Sequence, residues 1–265
     1  LLRVAGSTAA VAYTGAIGRD HEGDAFEMLL DTEGVEPLVS RKATPTGSSV
    51  IVVTPDSQRT MFTYLGACRE LGAPDISRPS INASQILHLT GYMWDTSNQE
   101  AAVHEAVSAA RKTQTVVSLD IADCFVVDRY FAKLTSWIPG NVDLLFANEQ
   151  ELKALTGVEA GGEETLNAAA SFAPTVVMKT GPLGCIVNDH GRVFKTPAHP
   201  VAPVDTTGAG DAFAGGYLFG LIQKLSAQQC AIVANRLAGG IVTVAGCNYD
   251  ALDPAAVARV FTDLP

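Results

Sequence analysis

Gly208, Gly210 and Asp211 lie close together in the stretch PVDTTGAGDAFAGGYLFGL, residues 203–221. From Ala212 onward, apolar residues at 213, 217, 218, 221, 222 and 225 make one helical face, which puts the two glycines at a helix start. Unpaired N–H groups and the helix dipole favour an anion there, and glycine lets the backbone approach a phosphate closely. A carboxylate beside such a pocket repels phosphate unless it has a task. The useful task is to accept a proton from a hydroxyl as its oxygen attacks a phosphoryl group. Locally, a second reading stays open: an Asp/Thr N-cap followed by small residues for close helix packing. A P-loop is excluded because no Lys-Ser/Thr pair follows Gly210, and a dinucleotide fingerprint needs glycine where Phe213 stands.

The elements that must hold this turn follow from the hydrophobic pattern. Apolar runs at 84–91, 113–123, 141–148 and 174–181 read as strands, and 98–112 and 148–157 carry helical spacing. The strands are nearly continuous in hydrophobicity, as in a parallel sheet covered on both faces. From Val35 to Leu65 several strand-like runs follow one another without a helix, with TPDSQ (54–58) as a hairpin connection. This segment is expected to be a small antiparallel sheet, a lid that excludes water from the chemistry when it closes. An edge extension of the main sheet is the alternative. The expected fold is therefore a three-layer α/β/α core, with a mostly parallel sheet, built from residues 1–34 and 70–265. A β-sheet lid over 35–69 completes it.

Composition limits the partners. The chain has 265 residues, 47% of them hydrophobic, with a net charge of −10 and a pI near 4.9. That is enough apolar material for a large core and disfavours a phosphate-backbone binder, which needs a basic face. No nucleic-acid or membrane partner is expected, and no apolar run reaches the length of a membrane span. The opening LLRVAGSTAAVAYTGAIG has no charged leader before a continuous apolar run and is not read as a signal peptide. Five scattered cysteines without a CxxC pair read as reduced thiols of a cytoplasmic protein. The five histidines form no ligand cluster, and His21, His190 and His199 are expected in surface turns.

The run D-T-T-G-A-G-D-A-F-x-G-G, beginning at Asp205, closely resembles the second signature of the PfkB, or ribokinase-like, carbohydrate kinases. The resemblance implies that Gly208, Ala209 and Gly210 form the anion hole and that Asp211 is the catalytic base. It also implies that Asp205 and Thr207, with Gly246, help hold a monovalent cation such as K⁺. Asn148 and Glu151, spaced N-x-x-E after a strand, read locally as a capping box. They also resemble the family motif that organises Mg²⁺, water and phosphate. Lys179, Thr180, Gly181 and Gly184 resemble its ATP-binding turn, although an ordinary strand-to-strand turn fits the same residues. Asn235 matches a position beside the adenine, and a buried helix Asn satisfied by backbone fits equally well. The cofactors implied are ATP and Mg²⁺.

Within that family, TPTGSSVIVV (44–53), TMFTYLGA (60–67) and VDLLFANE (142–149) look most like adenosine kinases. Alternation puts Met61, Thr63 and Leu65 on one face of the lid. The resemblance aims that face at the substrate, joined by Ser49 and Phe125, as an apolar wall suited to a flat purine. Packing of the same face on the core is the alternative. Family members also open with a strand carrying a substrate-binding Asp and a Gly-Gly-x-x-x-Asn signature. Neither precedes VAYTGAIG, and AGSTA (5–9) is at most a remnant, so this start is expected to have been lost or left out. The activity implied is transfer of the γ-phosphoryl of ATP to a nucleoside hydroxyl, adenosine foremost, with a sugar acceptor or a non-catalytic nucleotide or nucleoside binder as alternatives. A homodimer through the lid edge is a further expectation.

Overall fold

The computed structural model describes residues 9–53, 59–246, 248–252, 259–261 and 264–265. TPDSQ and the first four residues of AGSTA lie outside them. The central sheet has six strands: β5 (Ile86–Thr90), β6 (Val116–Asp120), β7 (Leu144–Asn148), β8 (Thr175–Lys179), β9 (Cys185–Asp189) and β10 (Arg192–Thr196), in the order β10-β9-β8-β7-β6-β5. Strands β5 to β8 run parallel, and β9 and β10 are added antiparallel at one edge.

Period-two alternation sends successive side chains into two buried layers. Leu145, Ala147, Val176 and Met178 pack with residues of α3 (Ser97–Thr113), α4 (Cys124–Trp137), α5 (Glu149–Thr156) and α6 (Gly162–Ala169). Leu144, Phe146, Val177 and Val187 face the other way, onto α7 (Ala209–Ile222) and α8 (Ala227–Ile241). There the Phe146 ring meets Tyr217 edge-on at 5.4 Å and Phe213 at 6.3 Å. The three-layer core expected from the sequence is the one observed. Its strand ends at 120, 148 and 179 lie on the side where ligands bind in open α/β sheets.

The early segment differs from expectation in one respect. β2 (Val35–Arg41) pairs in parallel with β1 (Val11–Ile17), the two being connected through α1 (His21–Thr32). A crossover helix is what a parallel pair requires. Antiparallel pairing in this region is confined, among the described residues, to β3 (Ser48–Val53) with β4 (Arg59–Tyr64). His21, expected in a turn, opens α1 behind the N-cap Asp20 and is exposed. Among the described residues no helix is long and apolar enough to cross a membrane. Cys68, Cys124, Cys185 and Cys230 are free thiols, and burial pushes Cys185 and Cys230 up to about 12.

Candidate active site

Helix α7 starts without a side-chain cap. Its N-cap is Gly208, in the left-handed region at φ 77°, where a Cβ would be strained. The Asp/Thr capping alternative is therefore not realised. Asp205 instead accepts hydrogen bonds on Oδ1 from the Thr207 N–H (2.9 Å) and hydroxyl (2.7 Å), and on Oδ2 from the Gly246 N–H (2.9 Å). The three residues expected at a monovalent cation thus meet in one knot that shapes the turn. The Ala209 N–H donates to the Thr206 carbonyl at 3.2 Å, so its donor is already engaged. The N–H groups of Gly210 and Asp211 lie in the first turn of α7, where helix geometry offers them no intrahelical acceptor. Both residues are exposed, open to an incoming ligand.

Asn148 ends β7 and caps α5, and the capping box is complete. Its Oδ1 accepts the Glu151 N–H at 2.9 Å, and Glu151 Oε2 accepts the Asn148 N–H at 2.8 Å. A third bond runs from Asn148 Nδ2 to Glu151 Oε1 at 2.6 Å. Glu151 is buried, and desolvation raises its pKa, countered by the Asn148 N–H and the charge of Lys179. Asn148, Lys179, Thr180 and Gly181 line one cleft of about 410 Å³. Gly184 does not face it. It is buried, its N–H donates to the Gly181 carbonyl at 3.0 Å and its own carbonyl accepts from Thr180 at 2.8 Å. Its open side is closed by the backbone of Thr196 and Ala198, so its role in the structure is to form the turn.

Asn235 lies apart, beside a second cleft of about 280 Å³ that Thr196, His199 and Arg236 also line. It is buried, and its Nδ2 donates to the Thr196 carbonyl at 3.2 Å, so the backbone-satisfied reading is the observed one. On the hairpin, Ser49 stands opposite Thr63 with their hydroxyls 2.9 Å apart, and Ile51 stands opposite Met61. Residues directly opposite share a face. That face is not packed on the core: Met61 is 60% exposed and Leu65 42%. Phe125, in the first turn of α4, is 56% exposed.

The sequence reading missed Asp120. It is the last residue of β6, buried, and its carboxylate accepts both oxygens' bonds from Lys179 Nζ at 2.9 and 2.7 Å. An acidic residue ending an otherwise apolar strand, SLDIAD, is the signal that was available. Among the described residues no group of three or more His, Cys, Asp or Glu side chains is arranged to hold a metal.

The family model described as pfkB family carbohydrate kinase matches residues 2–254. Adenosine kinase 2 of Arabidopsis thaliana is 23% identical, over 94% of this chain and 76% of that protein. A fructokinase of Klebsiella pneumoniae is 29% identical, over 79% of this chain and 70% of that one. The crystal structure of adenosine kinase from Sinorhizobium meliloti superposes with a TM-score of 0.89 at 31% identity, covering 97% of this chain and 79% of that one. With its helix-start turn, its α/β/α core and these relatives, the chain belongs to the pfkB family of carbohydrate kinases and is a kinase acting on an alcohol.

Proposed function

We propose that the protein transfers the γ-phosphoryl of ATP to the 5′-hydroxyl of adenosine, forming AMP. The observation that carries the chemistry is the uncapped start of α7, with Asp211 in its first turn. Asp211 takes the hydroxyl proton as the acceptor oxygen attacks, and the Gly210 and Asp211 N–H groups hold the transferred group. The cleft beside Thr180 and Gly181 suits the nucleotide phosphates, and Asn235 sits beside a cleft of a size for its base.

Magnesium fits this site as a companion of ATP. The oxygens of Glu151 are already engaged by Asn148, and Mg²⁺ needs few protein ligands when phosphates supply the rest. When bound, it neutralises phosphate charge. Asn148 and Glu151 would hold its water shell. Asp205, Thr207 and Gly246 would hold a K⁺ ion against the turn.

The acceptor assignment rests on the lid, residues 35–69, of which β3 and β4 form the blade. Its exposed face of Ser49, Met61 and Thr63, with Leu65 beyond and Phe125 on the core side, offers apolar area and two hydroxyls. That chemistry suits a flat base better than a bare sugar, which needs many hydrogen bonds. The likeness to adenosine kinases points the same way; the likeness to a fructokinase supports a sugar acceptor instead. The test is ADP release from Mg-ATP with adenosine, other nucleosides, ribose and fructose, each in K⁺ and in Na⁺. Turnover with adenosine that exceeds the sugars, and rises in K⁺, is expected. Turnover with a sugar alone would overturn the purine assignment.

A further inference from the structure

Asp120 and Lys179 end strands β6 and β8, with β7 between them, so their side chains reach across two strand spacings, about 9.6 Å, to meet. They meet as a two-point ion pair, with the side chains 13% and 17% exposed. Such a pair is a poor source of stability, because removing both ions from water costs about as much as their attraction returns. Its position has a clearer use. Lys179 Nζ stands 3.7 Å from the point where a Cβ on Gly210 would be, which places the ammonium directly against the helix-start turn. With two protons directed at Asp120, one N–H remains for another acceptor.

The same carboxylate also organises the next loop. Asp120 Oδ1 accepts the Ala122 N–H at 3.1 Å, and Ala122 is held in the left-handed region at φ 72°. Asp123 then caps α4 by accepting the Phe125 N–H at 2.8 Å. One buried side chain thus fixes Lys179 on one side and the backbone leading to Phe125 on the other. Acidic groups crowd this end of the sheet: Asp120, Asp123, Glu151 and Asp211 all act on Tyr92. An anionic phosphoryl group entering here needs a fixed positive charge.

We infer that Lys179 supplies that charge to the transferred phosphoryl group and that Asp120 is the positioning residue that aims it at the Gly210 turn. This rests on the kinase reading above. As the bond from the acceptor oxygen to the γ-phosphorus forms, the bond to the β-phosphate oxygen breaks, and the hydroxyl proton passes to Asp211. Lys179 keeps its protons throughout and stabilises charge on the equatorial oxygens.

The test compares full-length wild type with Lys179→Met, Asp120→Asn, the double variant and Lys179→Arg, measuring kcat, both KM values and Tm. Lys179→Met should lower kcat about 100-fold, as loss of one donor to a developing charge does, with the acceptor KM little changed. Each of Lys179→Met and Asp120→Asn leaves one buried charge unpaired and should lower Tm, whereas the double variant should recover Tm without recovering kcat. Lys179→Arg should restore part of kcat. A double variant that regains wild-type kcat together with Tm would show the pair to be structural and overturn the assignment. A wild type that phosphorylates no hydroxyl would overturn the kinase reading itself, and the assignment with it.

Discussion

At the scale of single residues, the turn that leads into the β3–β4 hairpin depends on one carboxylate. Asp20 Oδ2 accepts the Thr46 N–H at 2.7 Å, its Oδ1 accepts the Thr46 hydroxyl and the Gly23 N–H, and the Gly18 N–H donates to the Thr46 hydroxyl at 2.8 Å. The hydrogen bond from the Thr46 hydroxyl is the main cause that holds Asp20 below the usual carboxylate range. A lowered native pKa means the link is complete above the ordinary value of about 3.9 and is lost as pH falls through the lowered one. Thr46→Val should therefore raise the Asp20 pKa and move this loss to higher pH, followed by carboxyl NMR titration. An unchanged titration would remove Thr46 from the account. The sequence put the neighbouring His21 in a surface turn and gave Asp20 no role. It could not show Thr46, which is 26 residues away and becomes a partner only when β2 returns beside β1.

At the scale of elements, α7 carries Asp211, and its placement depends on how closely it lies on α8. A Cβ on Gly216 would stand 2.9 Å from Leu237 Cδ1 and 3.0 Å from the Ala234 Cα, so the backbones touch where a side chain would intervene. Gly216→Val should destabilise the protein by about 1–3 kcal/mol through overpacking. It should also lower kcat as the helix start shifts, and thermal denaturation with steady-state kinetics reads both. A variant as stable and active as wild type would mean that the contact yields without moving α7. Elements such as these were largely legible in the sequence: β5 to β8 and α5 fall within their expected stretches, α3 exceeds its own by one residue at each end, and α7 starts at the glycine turn, because apolar periodicity is a local signal. The pairing of β2 was not legible, since strand-like runs do not state whether a neighbour is parallel or antiparallel. The same limit hid Asp120, whose partner lies 59 residues away across another strand.

At the scale of the whole molecule, the sheet's topology gathers residues that are distant in sequence onto one rim. Asp120, Asn148 and Lys179 end three successive parallel strands, and α7 brings its start against Lys179. The glycine turn was legible because its whole motif is contiguous, and the family resemblance at that motif agrees with the matched family model. The surroundings of Gly184, Ala209 and Asn235 were less legible, since each is engaged by backbone groups that the fold brings to it. On the β3–β4 hairpin, by contrast, both faces stay exposed, with Met61 at 60% and Phe62 at 64%. The central claim is that this rim moves a phosphoryl group with Asp211 as base. Its most direct test compares wild type with Asp211→Asn for transfer of labelled γ-phosphate from Mg-ATP to adenosine, with ATP binding measured in parallel by calorimetry. The account predicts a loss of about 10²–10⁴ in kcat with ATP affinity nearly unchanged. A variant that transfers phosphate at close to the wild-type rate would contradict it.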